Sequence, residues 1–220
     1  MAARSTSGIR RRHTMLACTA ALFVPVVVYW LTCYRTITWW DSSQYSLAAA
    51  TLGIVGAPGS LLLTALGWIV TRLPLGIPPA FALNLLAGVL GAAAVALTVR
   101  TACDLYGWAS RDDSRPASWL VAAAIALGAL PLAFGPTLWT YAVMFTPYVL
   151  TVVVTGTILL VLVRWWRSAV NGIGARWLFV IASLIGVDFS VHRTNVLLVP
   201  GILLWVLIRR PRAFASIRSW

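Results

Sequence analysis

PGSLLLTALGWIVTRLP, residues 58–74, is apolar enough to enter a membrane, and whether it crosses decides the orientation of everything after it. The rest of the chain leaves no soluble option. Of 220 residues, 60% are hydrophobic and 10% charged. A soluble domain of this size needs a polar surface that such a composition cannot supply, whereas a spanning helix needs roughly 20 apolar residues. Six runs suit that role: Met15–Cys33, Pro79–Val99, Ser118–Ala133, Thr146–Val163, Trp177–Val191 and Thr194–Ile208. The shorter ones require tilt, local thinning or extension into their flanks. The expected fold is all-α, a polytopic membrane helix bundle.

Arginine placement orients it. All 17 basic residues are Arg, and cytoplasmic loops hold the excess of basic residues. If 58–74 lies at the outer surface without crossing, 14 arginines fall inside and only Arg35, Arg72 and Arg193 outside. If it crosses, six fall inside and 11 outside. The first arrangement obeys the rule. It predicts six spanning helices and an outer loop over 34–78 carrying two re-entrant or surface-lying helices. A basic arm at 1–14 and a basic tail at 209–220 are both cytoplasmic, flanking a membrane domain over 15–208. The first run is too long for a signal peptide and lacks a small-residue cleavage site, so it is read as an uncleaved helix.

The net charge of +12 is thereby explained without nucleic acid, because the arginines flank apolar runs and do not line one amphipathic face. Cys18, Cys33 and Cys103 are scattered, with neither metal spacing nor a disulfide framework. No P-loop, dinucleotide fingerprint, zinc spacing or hydrolase elbow occurs. Trp39, Trp40, Trp108, Trp139, Trp165, Trp166 and Trp177 fall at predicted span ends, as an aromatic belt does.

Polar residues are few, so their positions are informative. The five acidic residues are all Asp. Asp41 follows Trp39 and Trp40 in the outer loop, and Gln44 three residues on shares its face if the segment is helical. Asp41 could simply cap that helix. In "GVDFSVHRTN", 186–195, Asp188 and His192 are four apart, on one helical face and about 6 Å apart along the axis. A carboxylate near the end of a membrane helix is costly unless paired or facing a wet cavity. It serves a site, or pairs with His192 to close the turn between the last two helices. Arg193 either binds phosphate through its paired donors or snorkels to the interface. Asn84, within a span, is expected to hydrogen-bond between helices.

The order of "WWDSSQYSLAAATLGI", "GAPGSLLLTALGWIVTRLP", "NLLAGVLGAAAVAL", "TLWTYAVMFTPYVL" and "RWLFVIASLIGVDFSVHRTNVLLVP" resembles the protein O-mannosyltransferase-like family of membrane glycosyltransferases, within the C-type glycosyltransferase fold. The resemblance runs collinearly over about residues 28 to 200. It implies a polyprenyl-phosphate sugar as donor, mannose among the candidate sugars, an acceptor on the outer face, and no bound cofactor. Asp41 stands where the family has its catalytic base. Trp40, Gln44, Tyr148, Asp188, His192 and Arg193 are the corresponding substrate-binding candidates. Three motifs depart from the family pattern. Ser43 and Gln44 replace a Gly-Glu pair, Ala57 a His, and Thr146 and Pro147 stand where a Glu is usual. The C-type module ordinarily has more spans, so the resemblance also implies an N-terminal portion or truncated relative, with a further membrane chain supplying helices. The expected setting is a bacterial plasma membrane. A non-catalytic membrane subunit and, behind it, a small transporter are the alternatives.

Overall fold

The computed structural model describes residues 3–56, 60–109, 118–168 and 175–209. The Pro58–Gly59 turn, Ala57, the Asp112–Asp113 loop and the basic tail from 210 lie outside the described residues. Every element described is helical: α1 Ala3–Thr32, α2 Asp41–Thr51, α3 Leu61–Arg72, α4 Pro79–Ala109, α5 Ser118–Gly128, α6 Leu130–Phe134, α7 Pro136–Ala142, α8 Pro147–Ser168, α9 Ala175–Phe189, a 3₁₀ turn Thr194–Leu198, and α10 Val199–Arg209. Each of the six apolar runs is therefore a helix or, for the third, a chain of short ones. The 34–78 segment carries two helices, α2 and α3.

Three helices are long and apolar enough to cross a membrane: Arg11–Thr32 within α1, Pro79–Gly107 within α4, and α8. The α5–α7 stretch adds a fourth if taken as one span, but it bends by 70°. The bend has a local cause. Pro136 has no N–H to continue the ladder, and a Cβ on Gly135 would sit 2.6 Å from the Pro131 carbonyl oxygen. At 15 residues α9 falls short of a full span, and Leu61–Arg72 and Thr194–Arg209 are shorter apolar helices. The basic arm is not separate from the first span, since α1 is helical from Ala3.

α4 is the central element, packed by α1 and by α8, with α7 and α3 against its first half. Lipid tails are as apolar as leucine, so close packing and hydrogen bonds, rather than apolar burial alone, hold such helices together. Tyr29 of α1 is fully buried and donates its hydroxyl to the Ala133 carbonyl. Asn84 of α4, 1% exposed, ties three segments together. Its Nδ2 donates to the carbonyls of Tyr34 (2.7 Å) and Thr36 (3.2 Å), and its Oδ1 accepts the Phe145 N–H at 2.9 Å. The expected interhelical role is met through loop backbone. Trp165, expected in an interfacial belt, is instead fully buried among α8, α9 and α10 residues, because it falls on the face of α8 that meets those helices.

A second cluster seats α2 and α3. Tyr45, Ala48 and Ala49 of α2 and Leu63 of α3 pack with Leu83 of α4, Phe145, Leu150 of α8 and Val191. Gly67 permits this approach: a Cβ there would lie 2.7 Å from the Phe145 ring and 2.8 Å from the Ala49 Cβ. Polar bonds fix the same docking. Ser60 Oγ donates to the Val191 carbonyl at 2.6 Å, and Leu62 N–H to that of Ser190 at 3.3 Å. The first loop thus folds onto the turn before α10.

Candidate active site

α2 starts at Asp41, but Asp41 does not cap it. Trp40 is the cap residue, with φ 58° and ψ −140°, and no side-chain cap bond forms. Non-glycine residues rarely hold a positive φ, and such strain costs on the order of 1–3 kcal/mol unless its surroundings enforce it. The Ser43 hydroxyl answers the Trp40 carbonyl at 2.9 Å. This arrangement leaves the Asp41 carboxylate, which is exposed, to other partners.

That partner is Tyr148, in the first turn of α8, whose hydroxyl donates to Asp41 Oδ2 at 3.1 Å. The Tyr148 ring lies 4.5 Å from the Tyr141 ring and meets His192 edge-on at 5.1 Å between centroids. Tyr148 therefore touches both the first-loop carboxylate and the turn after α9. Gln44 and Trp40 are exposed beside Asp41, Trp40 at 82%.

The Asp188–His192 pair expected on one helical face is not formed. α9 ends at Phe189, and the chain wraps around the Asp188 carbonyl, which accepts the N–H groups of Val191, His192 and Arg193 at 2.9, 2.9 and 3.1 Å. The wrap carries His192 off the helix, where its Nδ1 lies 2.6 Å from Thr194 Oγ1. Asp188, 1% exposed, instead accepts the Asn195 N–H through Oδ2 at 2.8 Å. Arg193, at φ 62° and exposed, sits at the crest of the turn. Of the three non-glycine residues with positive φ among the described residues, Trp40 and Arg193 both adjoin this cluster.

Residues not singled out from sequence complete it. Asn195 is buried, with Oδ1 2.6 Å from the hydroxyl of Thr155, which is itself 2.9 Å from the Thr151 carbonyl. One hydroxyl hydrogen serves only one of these oxygens at a time. Asp188 Oδ1, Asn195 Nδ2 and the hydroxyls of Ser42, Thr146 and Thr151 are buried without a hydrogen-bond partner among the described residues. Buried polar atoms left without partners are expensive to keep. The spacing of Tyr148, Thr151 and Thr155 is visible in sequence as one face of a helix; the aromatic partner Tyr141 carried no such signal.

In chemical terms, the cluster sets an exposed, oriented carboxylate near an imidazole and a guanidinium-bearing turn. Among the described residues no group of three or more His, Cys, Asp or Glu could hold a metal ion.

No curated protein and no solved structure shows significant similarity to the chain. The family model described as protein O-mannosyl-transferase TMEM260 N-terminal domain matches residues 41–214, beginning at Asp41 and running past α10. Since that match covers most of the sequence, the chain belongs to the family of the protein O-mannosyl-transferase TMEM260 N-terminal domain.

Proposed function

We propose that this chain is the catalytic N-terminal part of a membrane glycosyltransferase, moving a sugar, mannose in keeping with the family, from a polyprenyl phosphate to an acceptor hydroxyl at the outer face. The acceptor oxygen bonds to the anomeric carbon as the bond from that carbon to the phosphate oxygen breaks, and configuration inverts. The Asp41 carboxylate takes the acceptor's proton as general base. The Arg193 guanidinium receives the charge that leaves with the phosphate. Tyr148 orients Asp41, while Trp40, Gln44 and His192 contact the substrates, and Asp188 holds the turn that presents His192 and Arg193. The observation that carries this reading is the double contact of Tyr148, with Asp41 through its hydroxyl and with His192 through its ring.

The same reading takes six crossings, with α9 and the 194–209 segment as short, tilted spans and both termini cytoplasmic. Cysteines introduced at 41, 141 and 192 in a chain stripped of its native cysteines should react with an impermeant reagent from outside, and one at 112 only from inside. Labelling at 112 from outside, with none at 41, would reverse the topology.

A transfer assay on membranes supplied with polyprenyl-phosphate sugar tests the chemistry. Asp41→Asn should lower turnover by about 10² to 10⁴, since an amide cannot accept the proton, with protein level unchanged. Undiminished turnover would favour the second reading, a non-catalytic membrane subunit. That reading is favoured by Gln44, Ala57 and Thr146, which stand where the resemblance leads one to expect two carboxylates and an imidazole.

A further inference from the structure

We infer that the buried polar cluster between α8 and the turn after α9 binds a monovalent alkali cation through Asp188 Oδ1, Thr151 Oγ1 and the Asn195 side-chain oxygen. Such a site stands or falls independently of sugar transfer, because it fixes the 188–195 turn whatever that turn binds. The three residues are 1%, 7% and 2% exposed, and a chain of contacts links them. The Asn195 N–H donates to Asp188 Oδ2 at 2.8 Å, and the Asn195 side chain meets the Thr155 hydroxyl at 2.6 Å. Thr151 lies one turn before Thr155 on the same face of α8.

Each of the three offers an oxygen that the chain leaves unanswered. Asp188 Oδ1 and Thr151 Oγ1 have no hydrogen-bond partner among the described residues. For a helical threonine that is unusual here: Thr98, Thr101, Thr155 and Thr157 all return their hydroxyls to the carbonyl four residues back, at 2.8 to 3.0 Å. Asn195 supplies the third oxygen. With its Oδ1 toward Thr155, one hydroxyl hydrogen faces two acceptors, that Oδ1 and the Thr151 carbonyl, while Nδ2 finds no partner. Turning the amide over exchanges two atoms of nearly equal size and resolves both faults. Nδ2 then donates to Thr155, Thr155 donates to the Thr151 carbonyl, and the amide oxygen takes the unpartnered position.

Unanswered oxygens alone would suit a water. The charge of Asp188 selects a cation. Its Oδ2 is met by an amide, which carries no net charge, and a water would add only another neutral donor. An uncompensated charge is far more costly to bury than a hydrogen bond is to lose. The ligand set fixes the class of ion. Hydroxyl, amide and carboxylate oxygens, with no thiolate or imidazole, suit a hard ion over a zinc-like one. One carboxylate balances one positive charge, whereas calcium sites gather several charged ligands.

The test is thermal unfolding of the full chain in phosphatidylcholine nanodiscs, followed by tryptophan fluorescence, in sodium, potassium or choline chloride at one ionic strength. Sodium or potassium should raise the midpoint saturably over choline, by roughly 3–6 °C once the ion exceeds its Kd about tenfold. Asp188→Asn keeps the shape, removes the charge and should abolish the rise. Thr151→Val should demand about tenfold more cation for the same rise. Thr157→Val, whose lost hydroxyl is spent on the Val153 carbonyl, should leave the cation dependence unchanged. Equal midpoints in all three salts would mean that the cluster holds water alone, and would overturn the site. A midpoint indifferent to alkali ions that rises on acidification would assign a proton to Asp188 and overturn it too. So would a rise that survives Asp188→Asn or that Thr151→Val does not weaken. If Asp188→Asn fails to fold, Thr151→Val set beside Thr157→Val decides.

Discussion

At one end of the α4–α8 pair, Asp104 lies between two arginines, 3.2 Å from Arg100 Nε and 3.8 Å from Arg164 Nε. At the other end, Asp41 meets a phenol and Asp188 a backbone amide. Tyr148 and Arg164 are 16 positions apart on one helix, so the two ends are separated by about 24 Å. The arginines at Asp104 are partly exposed, and the Arg100 contact is close in distance but off the hydrogen-bonding direction. Asp104 is thus a charge neutralised by neighbours, joining two helices. Asp41 and Asp188 are held by neutral donors that fix direction without cancelling charge. The lesson is to look at what holds a membrane aspartate before asking how buried it is.

The comparison breaks first at Tyr148. Tyr148→Phe removes the hydrogen bond to Asp41 and keeps the ring contacts with Tyr141 and His192. A hydrogen bond to a charged group is worth about 1.5–3 kcal/mol, so transfer should fall roughly 10- to 100-fold. The thermal midpoint should stay put. Unchanged transfer would mean that Asp41 is aimed by something other than the phenol, and the contrast between the two ends would lose its functional meaning.

Asp188 should behave differently, as a positioning residue. Asp188→Ala strands the buried Asn195 N–H, a loss of about 1–3 kcal/mol, visible as a lower unfolding midpoint. Asp188→Asn keeps an acceptor and should lose less. If both variants were as stable as the parent but weaker in binding polyprenyl phosphate, Asp188 would belong with the substrate contacts.

How much of this was legible depends on the kind of information each feature needs. Apolar runs are a one-dimensional signal, and each run matches helical chain within a few residues; by length alone Leu61–Arg72 is a shorter apolar helix than the three long spans. Local breaks were less visible. Pro131, Gly135 and Pro136 were in view inside an apolar stretch, yet the direction of the bend depends on how Gly135 closes on Pro131. The Asp188–His192 pairing failed because helical periodicity was extended beyond Phe189, where three amides turn in on one carbonyl. Asp41 stood out because a carboxylate beside two tryptophans is rare in so apolar a chain. Its partner Tyr148 lies 107 residues away, beyond any local pattern; the resemblance pointed to Tyr148 as a substrate contact, not as the partner of Asp41. Asp104 drew no notice, since its meaning depends on Arg164 from another helix.

The smallest effect is expected at Asp104, and it sharpens the contrast most. Asp104→Asn removes both ion pairs, but partly exposed pairs contribute only about 0–1 kcal/mol. Two terms oppose each other further. Asp104 sits in the last turns of α4, where the helix dipole disfavours an anion, and Arg100 precedes it, the weaker order for a pair four apart. Neutralising it relieves both. Against that, Arg100 and Arg164 would then face each other without a shared counter-charge. The sum should lie within about 1 kcal/mol of zero, and transfer should be unaltered because the reacting atoms are about 24 Å away. Urea or thermal unfolding in detergent, read beside the transfer assay, measures both at once. A large loss of transfer in Asp104→Asn at unchanged stability would mean that the two ends are coupled through α4 and α8, and that the division drawn between a structural and a chemical carboxylate is wrong.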